Sequence, residues 1–362
     1  KKTKAFTFLT YKALDNNLGV TLSEHMNVLE RAGSSTHVNA LAFTDDIGPK
    51  NTHMYYVRKD GDRQSITSPY AMASDRDLNT GSWTTLRKAI KWGFSEYPGR
   101  LRWLDVNNHG GGYYGIAQDD KSDRIIRLPE LAKALKQGAG KSKLDVVSFD
   151  ACLMATAEVA YEIKDSAKIM VASEDSSYAL GMNYDQTLAA LASKPNTDAD
   201  DLARDLVLRS QRKGKIKALY TISALDLSRA EVTTKAVDQL SRALIKALPA
   251  NRKAIMMSLA AVKPFYVAGP DKSDFNHRDL NEVADQLRQR VPDRDVVNAC
   301  LAVKKTLFNR GGLVLLSRAT SEQNGVARGV SIYLPTDGKV DPIYKSTAFA
   351  KATQWDEFLA AL

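Results

Sequence analysis

Short apolar runs alternate with amphipathic stretches along the first 228 residues, and this alternation narrows the fold more than any other feature of the chain. AFTFLTY (5–11), VNALAFTDD (38–46), the start of NTHMYYVRKDGD (51–62), RLRWLDV (100–106), LDVVSF (144–149), IMVASED (169–175) and ALYTISALDLS (218–228) read as strands. Nearly continuous apolar runs of this length suit strands covered on both faces. Between them, TLSEHMNVLERAG (21–33), the stretch from Ser82 or Thr84 to the Pro98-Gly99 stop, LPELAKALKQG (128–138) and the segment Met154 to Ile163 space their apolar residues as helices do. Strand and helix in alternation predict an α/β fold with a mostly parallel central sheet sandwiched between helices.

The pattern changes beyond residue 228. Helices dominate to about residue 310, then come two apolar stretches, GGLVLLS (311–317) and GVSIYLP (329–335), and a final helix from Trp355 to Leu362. The expected organisation is a main domain over 1–228 and, over 229–362, a smaller helical and β addition that returns to the core. No run approaches the ~18 apolar residues of a membrane span, so no span is expected. The net charge of +9 raises the question of a nucleic-acid partner. Lys and Arg are scattered among Asp and Glu with no basic stripe interleaved with aromatics, so no nucleic-acid partner is expected.

The two cysteines, Cys152 and Cys300, cannot build a disulfide framework or a zinc site. Cys300, in VVNACLAVKKTL, sits in an amphipathic pattern and reads as core. Cys152 has a different setting. A thiol attacks a carbonyl as thiolate, so it needs an imidazole to manage its proton and donors aimed at the developing oxyanion. His109 ends one strand and Cys152 ends another, and sites in open α/β sheets gather at the carboxyl ends of strands. The two lie 43 positions apart, enough for a loop, a helix and the next strand, so they can meet on neighbouring strands. Gly110, Gly111 and Gly112 let the backbone come close to a substrate oxygen. Cys152 reads as the start of a helix, whose free amides and positive end favour a thiolate. The N–H groups of Gly110 and Cys152 are the expected oxyanion donors.

Blander readings exist for each residue. His109 alone suits a turn histidine, and Cys152 alone a small buried side chain. The glycines lack the spacing of a phosphate loop, and Asp150 could cap the following helix. His25, His37, His53 and His277 read as surface or structural, and Leu153 and Met154 as helix packing. The joint context of His109 and Cys152 favours chemistry.

The strand-HGGG block (104–112) and the strand-FDACLM block (144–154) resemble the clostripain family of cysteine peptidases, in the wider caspase, legumain and gingipain clan. ALDNNL (13–18), LNTGSWTTLRKAIKWGFSEYP (78–98), GIAQDD with LPELAKAL (115–135), ASED (172–175) and GVSIYLP (329–335) extend the resemblance, which is weakest over 229–328. It implies a caspase-like α/β/α sandwich, a His109–Cys152 dyad without an obligatory third member, and peptide or protein substrates cut after Arg or Lys. By motif position Asp150 is the pocket acid, and an enclosed carboxylate does select a guanidinium or ammonium partner. Ser173, and Asn16 or Asn17, correspond to residues lining the site. Relatives made as zymogens are cut between the histidine and cysteine strands, where QDDKSDRIIR (118–127) offers Lys121 and Arg124. No cofactor is obligatory, but some members need calcium, for which the Asp45-Asp46 and Asp119-Asp120 pairs are candidate ligands. AFTFLTY (5–11) is too short for a signal-peptide core, and the start of the sequence does not decide localisation; the expectation is a secreted or cell-envelope bacterial protein whose leader lies outside this sequence, with the cytosol as the alternative. The rival readings are a same-clan peptidase that prefers Asn or Asp, and an inactive binding or adhesion protein on the same scaffold.

Overall fold

The computed structural model describes residues 2–49, 51–73, 76–177, 181–210, 220–267, 273–320 and 327–362. In chain order its strands are β1 (Lys4–Leu14), β2 (Val38–Asp46), β3 (His53–Tyr56), β4 (Tyr70–Ala73), β5 (Gly99–Asn107), β6 (Ile116–Asp119) and β7 (Arg124–Ile126). They continue as β8 (Leu144–Asp150), β9 (Ala167–Ala172), β10 (Tyr220–Asp226), β11 (Phe265–Val267), β12 (Ser273–Asp279), β13 (Val314–Thr320) and β14 (Ser331–Tyr333). The helices are α1 (Leu22–Glu30), α2 (Trp83–Glu96), α3 (Leu128–Ala139), α4 (Ala157–Ile163), α5 (Tyr184–Ser193) and α6 (Ala199–Ser210). After these come α7 (Ala230–Ala260), α8 (Leu280–Arg290), α9 (Arg294–Phe308), α10 (Ala348–Ala352) and α11 (Trp355–Ala360).

Nine strands form the central sheet in the order β13-β10-β9-β8-β5-β1-β2-β3-β4. The five from β9 to β2 run parallel, and the two outer strands on each side pair antiparallel. The chain builds outward from β1 to β2, then crosses to the other flank of β1 to lay down β5, β8 and β9. Strand order therefore reverses between β1 and β5, and a crevice opens at the carboxyl ends of strands at such a point. The site residues lie just beyond β1, β5 and β8.

The period of two along β1 sorts its side chains onto two cores. Leu9, Tyr11 and Ala13 join Leu104, Val106, Val147 and Phe149 under α2, α3, α4 and α7. Phe6 and Phe8 join Leu101, Trp103 and Val146 under α1, α5 and α6. Each such side chain contributes roughly 1.5–3 kcal/mol on burial, so a slip of one residue in β1 would exchange both sets. The α/β/α sandwich expected from the sequence is the observed architecture. Ser82 caps α2, its hydroxyl accepting the Thr84 N–H.

Three local expectations need correction, and one point the sequence left open is now assigned. The helix after Cys152 begins at Ala157, not Met154: Thr156 is its cap, accepting the Val159 N–H at 3.0 Å. Leu153 has φ +61°, outside any right-handed helix. Asp150 therefore caps no helix. The 118–127 segment is a hairpin, β6–β7, rather than a loop. Finally, the two late apolar stretches go to different sheets. Val314–Thr320 pairs antiparallel with β10 at the edge of the central sheet, whereas Ser331–Tyr333 joins a three-stranded sheet, β11-β12-β14.

That small sheet is fastened to the cysteine turn. Ser331 N–H donates to Ala155 O at 2.9 Å, and the buried Glu158 carboxylate accepts Tyr333 N–H at 2.9 Å and the Tyr344 hydroxyl at 3.1 Å. Cys300 is buried in α9 and packs with the larger core. Among the described residues, no helix is long and apolar enough to cross a membrane.

Candidate active site

The parallel register of β5 and β8 ends on the pair Asn107 and Asp150. The Asn107 amide and the Asn108 N–H both donate to Asp150 O, at 3.2 and 3.4 Å. His109 and Cys152 thus each lie two residues past one shared rung. The turns they occupy touch: a Cβ at Gly110 would stand 2.6 Å from Cys152 O and 3.0 Å from the Ala151 side chain. Only glycine fits there. Ala117 N–H bonds His109 O at 3.2 Å and Gly111 N–H bonds Gly115 O at 3.0 Å, which leaves the Gly110 N–H outside that ladder.

His109 is half-buried, and its Nε2 lies 2.6 Å from Oδ1 of Asn17. An amide oxygen only accepts, so Nε2 donates in this bond and Nδ1 keeps the lone pair of the neutral ring. Burial lowers the pKa of His109, opposed by the charge of Asp120. The two asparagines left open by the sequence now separate. Asn16 is buried and builds the turn: its amide donates to Gln118 O at 2.7 Å, and its Oδ1 accepts the Leu18 N–H at 2.9 Å. Asn17 is exposed and reaches the imidazole. Asn108 ties both sides together, accepting the Gln118 N–H at 2.8 Å and donating to Ala13 O.

The sulfur of Cys152 accepts the Ser177 N–H at 3.2 Å. Burial pushes the thiol up to about 11, partly offset by that N–H. The helix start that would have favoured a thiolate lies five residues further on, so the expected dipole contribution is missing. The 173–177 segment backs the cysteine turn: Leu153 N–H donates to Asp175 O at 3.1 Å, and Ala155 N–H to Ser173 O at 2.8 Å. Ser173 shapes this segment from behind, its buried hydroxyl 2.8 Å from that of Thr221 and donating to Asp175 O at 3.0 Å.

Asp150 is buried beneath the same segment. It accepts the Ser177 hydroxyl at 3.2 Å, the Met182 N–H at 3.3 Å and the Tyr184 hydroxyl at 3.1 Å. Gly181, at φ +74°, presses so close that a Cβ would stand 2.4 Å from Asp150 Oδ2. The Tyr184 hydroxyl also lies 2.9 Å from Asp105, which is held by Thr10 and Ser148 at 2.8 Å each. Lys12 completes the group, fully buried with its ammonium 3.3 Å from His25 Nδ1. Burial raises the pKa of both carboxyls, Asp105 to about 6, and lowers that of Lys12. Sequence reasoning missed Lys12, Asp105 and Tyr184. The signal was a charged residue inside each of two apolar runs, FLTYKAL and RLRWLDV, both on the Phe8–Trp103 face.

Of the acidic pairs, one member of each converges on a residue not foreseen. Carboxylate oxygens of Asp15, Asp45 and Asp119 lie within 4.8 Å of one another, all three residues buried. Asp46 turns to the Ile47 N–H and Asp120 to the Gln118 amide, each at 2.7 Å. Lys121, exposed in the turn of the β6–β7 hairpin, pairs with Asp77, and Arg124 lies 3.7 Å from Glu130.

A caspase-like sandwich carrying histidine and cysteine on adjacent strand ends defines a class of cysteine protease. The Peptidase C11 model, that of the clostripain family, matches residues 10–361, and the chain belongs to that family of cysteine proteases. Clostripain of Hathewaya histolytica is 24% identical over 436 residues, a match covering 96% of this chain and 78% of clostripain. Two solved structures share the fold over 98% of this chain. One is an inactive zymogen C11 protease from Parabacteroides distasonis, with a TM-score of 0.72, 20% identity and 99% of its own chain covered. The other is a secreted C11 cysteine protease from Bacteroides thetaiotaomicron in complex with an irreversible peptide inhibitor, with a TM-score of 0.70, 19% identity and its whole chain covered.

Proposed function

We propose that this protein is an exported endopeptidase that cleaves after Arg or Lys, with Cys152 as nucleophile and His109 as proton carrier. The observation that carries the reading is the shared rung Asn107–Asp150, which sends both residues off the sheet side by side with Gly110 against the cysteine carbonyl.

In the reaction, Cys152 Sγ adds to the carbonyl carbon of the scissile bond as its proton passes to His109. The oxyanion forms against the N–H groups of Gly110 and Cys152, and His109 returns the proton to the leaving amine. Water then hydrolyses the thioester, again through His109. Asn17 positions the ring by fixing the Nε2 side. With the thiol raised by burial and the imidazole lowered, the resting pair is neutral, and substrate binding has to drive the proton transfer.

Asp150 supports the basic preference. It and Asp105 face one ammonium, Lys12, so the fully ionised group keeps one negative charge for a substrate cation. A guanidinium reaching Asp150 displaces Gly181 and Met182 from the carboxylate, a movement that would accompany activation. Self-cleavage within the hairpin fits the same preference. Lys121–Ser122 lies in its turn, whereas Arg124 is already paired with Asp119 in the β6–β7 ladder. Lys121 is thus the favoured site.

Fluorogenic peptides differing only at the residue before the cut provide the test, together with labelling by an arginyl chloromethylketone. Turnover of Arg and Lys peptides, with label on Cys152 and none in the Cys152→Ala protein, is the expected result. Turnover of Asn or Asp peptides instead would reassign the pocket. Neither turnover nor labelling, before or after limited trypsin treatment, would leave a binding scaffold.

A further inference from the structure

We propose that the empty pocket keeps one proton between Asp150 and Asp105, bridged by the Tyr184 hydroxyl, and that a basic substrate side chain enters in exchange for it. Lys12 is the fixed counter-ion of the pair. The exchange rests on the reading of Asp150 as the pocket acid.

Two successive rungs of the central sheet carry the group. Thr10 of β1, Asp105 of β5 and Ser148 of β8 share the first, and Lys12, Asn107 and Asp150 share the second. Side chains two apart on a strand point the same way, here to the face that also holds Phe8, Trp103 and Val146. Tyr184 reaches this face from α5. His25 reaches it from α1, and since an ammonium only donates, its Nδ1 accepts from Lys12. Past the end of β8, Cys152 feels the charges of Asp175 and Asp150. β9 and α6 add Val171, Leu202 and Leu206 to the same core.

Hydrogens and charges both call for the proton. The Tyr184 hydroxyl lies 2.9 Å from Asp105 Oδ1 and 3.1 Å from Asp150 Oδ2. A phenol has a single hydrogen and donates it to one of them. At the other contact two oxygens would face each other bare, unless that carboxyl brings a hydrogen of its own. Burial and the two carboxylates raise Tyr184 well above its ordinary value, so the phenol itself stays protonated. The charge count agrees. Lys12, Asp105 and Asp150 are all buried. With both carboxyls ionised the group carries an uncompensated negative charge in the core, a costly state, and one proton makes it neutral. Burial raises both carboxyls accordingly. The proton belongs to the pair, not to either member.

A guanidinium or ammonium arriving at Asp150 takes the place of this proton. The carboxyl O–H bond breaks, the proton passes to solvent, and the carboxylate pairs with the cation. Two carboxylates, Lys12 and the substrate cation again sum to zero, so the group is neutral before and after. A neutral side chain cannot make that trade. An acceptor also waits on the rung of Asp150: Asn107 Oδ1 is buried and has no hydrogen-bond partner, while its amide donates to Asp150 O at 3.2 Å. An entering N–H would satisfy it. Asp105 and Lys12 are thus positioning residues, which set the charge that Asp150 presents.

The test compares an Arg peptide with the same peptide carrying citrulline, the neutral counterpart of arginine. Cys152→Ala protein, before and after limited trypsin treatment, is titrated with each in a calorimeter. Repeating the titration in buffers of unequal ionisation enthalpy counts the protons released. Near pH 5 the Arg peptide should release about one proton and the citrulline peptide none, and near pH 9 both counts should vanish. The preference for Arg should widen about tenfold or more between these pH values. With Asp105→Asn added, the Arg peptide should bind without releasing a proton, and its preference over citrulline should not change with pH. Tighter binding of the Arg peptide with equal proton counts for the two peptides at both pH values overturns the exchange and leaves the pocket reading standing. An Arg peptide bound no more tightly than its citrulline counterpart, in either form and at either pH, sinks the pocket reading and the exchange with it. The count on Cys152→Ala protein decides by itself if the Asp105→Asn protein does not fold. An Asp105→Asn protein that folds and still releases the proton overturns the sharing between Asp105 and Asp150.

Discussion

Asn107 and Asp150 face each other on the last rung shared by β5 and β8, so the register of the sheet itself brings the turns that carry His109 and Cys152 against each other. Each strand then needs only one intervening residue before it delivers its side chain. A pair fixed this way inherits the rigidity of the sheet, whereas the neighbouring Asn17, Ser177 and Gly181 lie outside strands and helices.

Gly110 is where this closeness can be tested. A methyl group at this position would meet Cys152 O at 2.6 Å, below any normal contact, so the two turns must part. Gly110→Ala should lower kcat/KM by about a hundredfold, the usual cost of a misplacement of about 1 Å. It should cost the fold roughly 1–3 kcal/mol. Peptide kinetics and thermal melts of the variant would reveal both, and an unchanged rate would mean that the turns are not in catalytic contact.

The resting thiol should behave as a weak nucleophile. Burial holds Cys152 near 11, and a group raised in this way is almost wholly protonated at neutral pH. Its alkylation by iodoacetamide should climb about tenfold per pH unit across the neutral and mildly alkaline range. Mass mapping separates this signal from Cys300, which burial pushes up to about 12. A rate already level from mildly acidic pH upward would instead reveal a thiolate–imidazolium pair in the free protein.

Asn17 should matter for turnover more than for binding. Its Oδ1 lies 2.6 Å from His109 Nε2, while its own side chain is exposed, so removing it leaves the core intact. Asn17→Ala should reduce kcat about 10- to 100-fold with little change in KM, and should shift the acid limb of the pH–rate profile. Asn17→Gln or Asn17→Asp, which retain an acceptor, should restore part of the loss. Equal losses in kcat for all three, with an unmoved profile, would assign Asn17 no part in orienting the ring.

The strand ends were legible because apolar runs stop abruptly at polar residues, RLRWLDV at Asn107-Asn108 and LDVVSF at Asp150. The start of α4 was not. Leu153, Met154 and Ala157 are spaced as a first helical turn would be, yet Thr156 is the cap, and Leu153 takes a positive φ with its N–H bonded to Asp175 O. That bond is tertiary, and local pattern carries no trace of it. Lys12, Asp105 and Asp15 were hidden for the same reason: each stands in or beside an apolar run, and its partners are distant in sequence. GGLVLLS and GVSIYLP read alike as strands, but only packing assigns one to the central sheet and the other to the sheet behind Cys152.

A buried proton should make the protein lose stability as pH rises. Glu174 and Asp279 meet in the interior, Glu174 accepting the Gly329 N–H and Asp279 the N–H groups of Glu282 and Arg328, all at 2.7 Å. Burial raises Asp279 to about 6 and Glu174 well above its ordinary value, where the charges of Asp279 and Asp175 add to the effect. Both folded-state values exceed those of the unfolded chain, so the folded protein holds more protons between about pH 4 and pH 6, and higher still for Glu174. Their contribution is fully present below the unfolded carboxyl range and fades as pH climbs through the folded values. Glu174→Gln keeps an acceptor for Gly329 and gains a donor for Asp279 while removing one charge. It should melt with the unaltered protein near pH 4 and well above it near pH 8. Calorimetric melts at both pH values decide the matter, and a variant offset that is the same at each would rule out a proton shared by these two side chains.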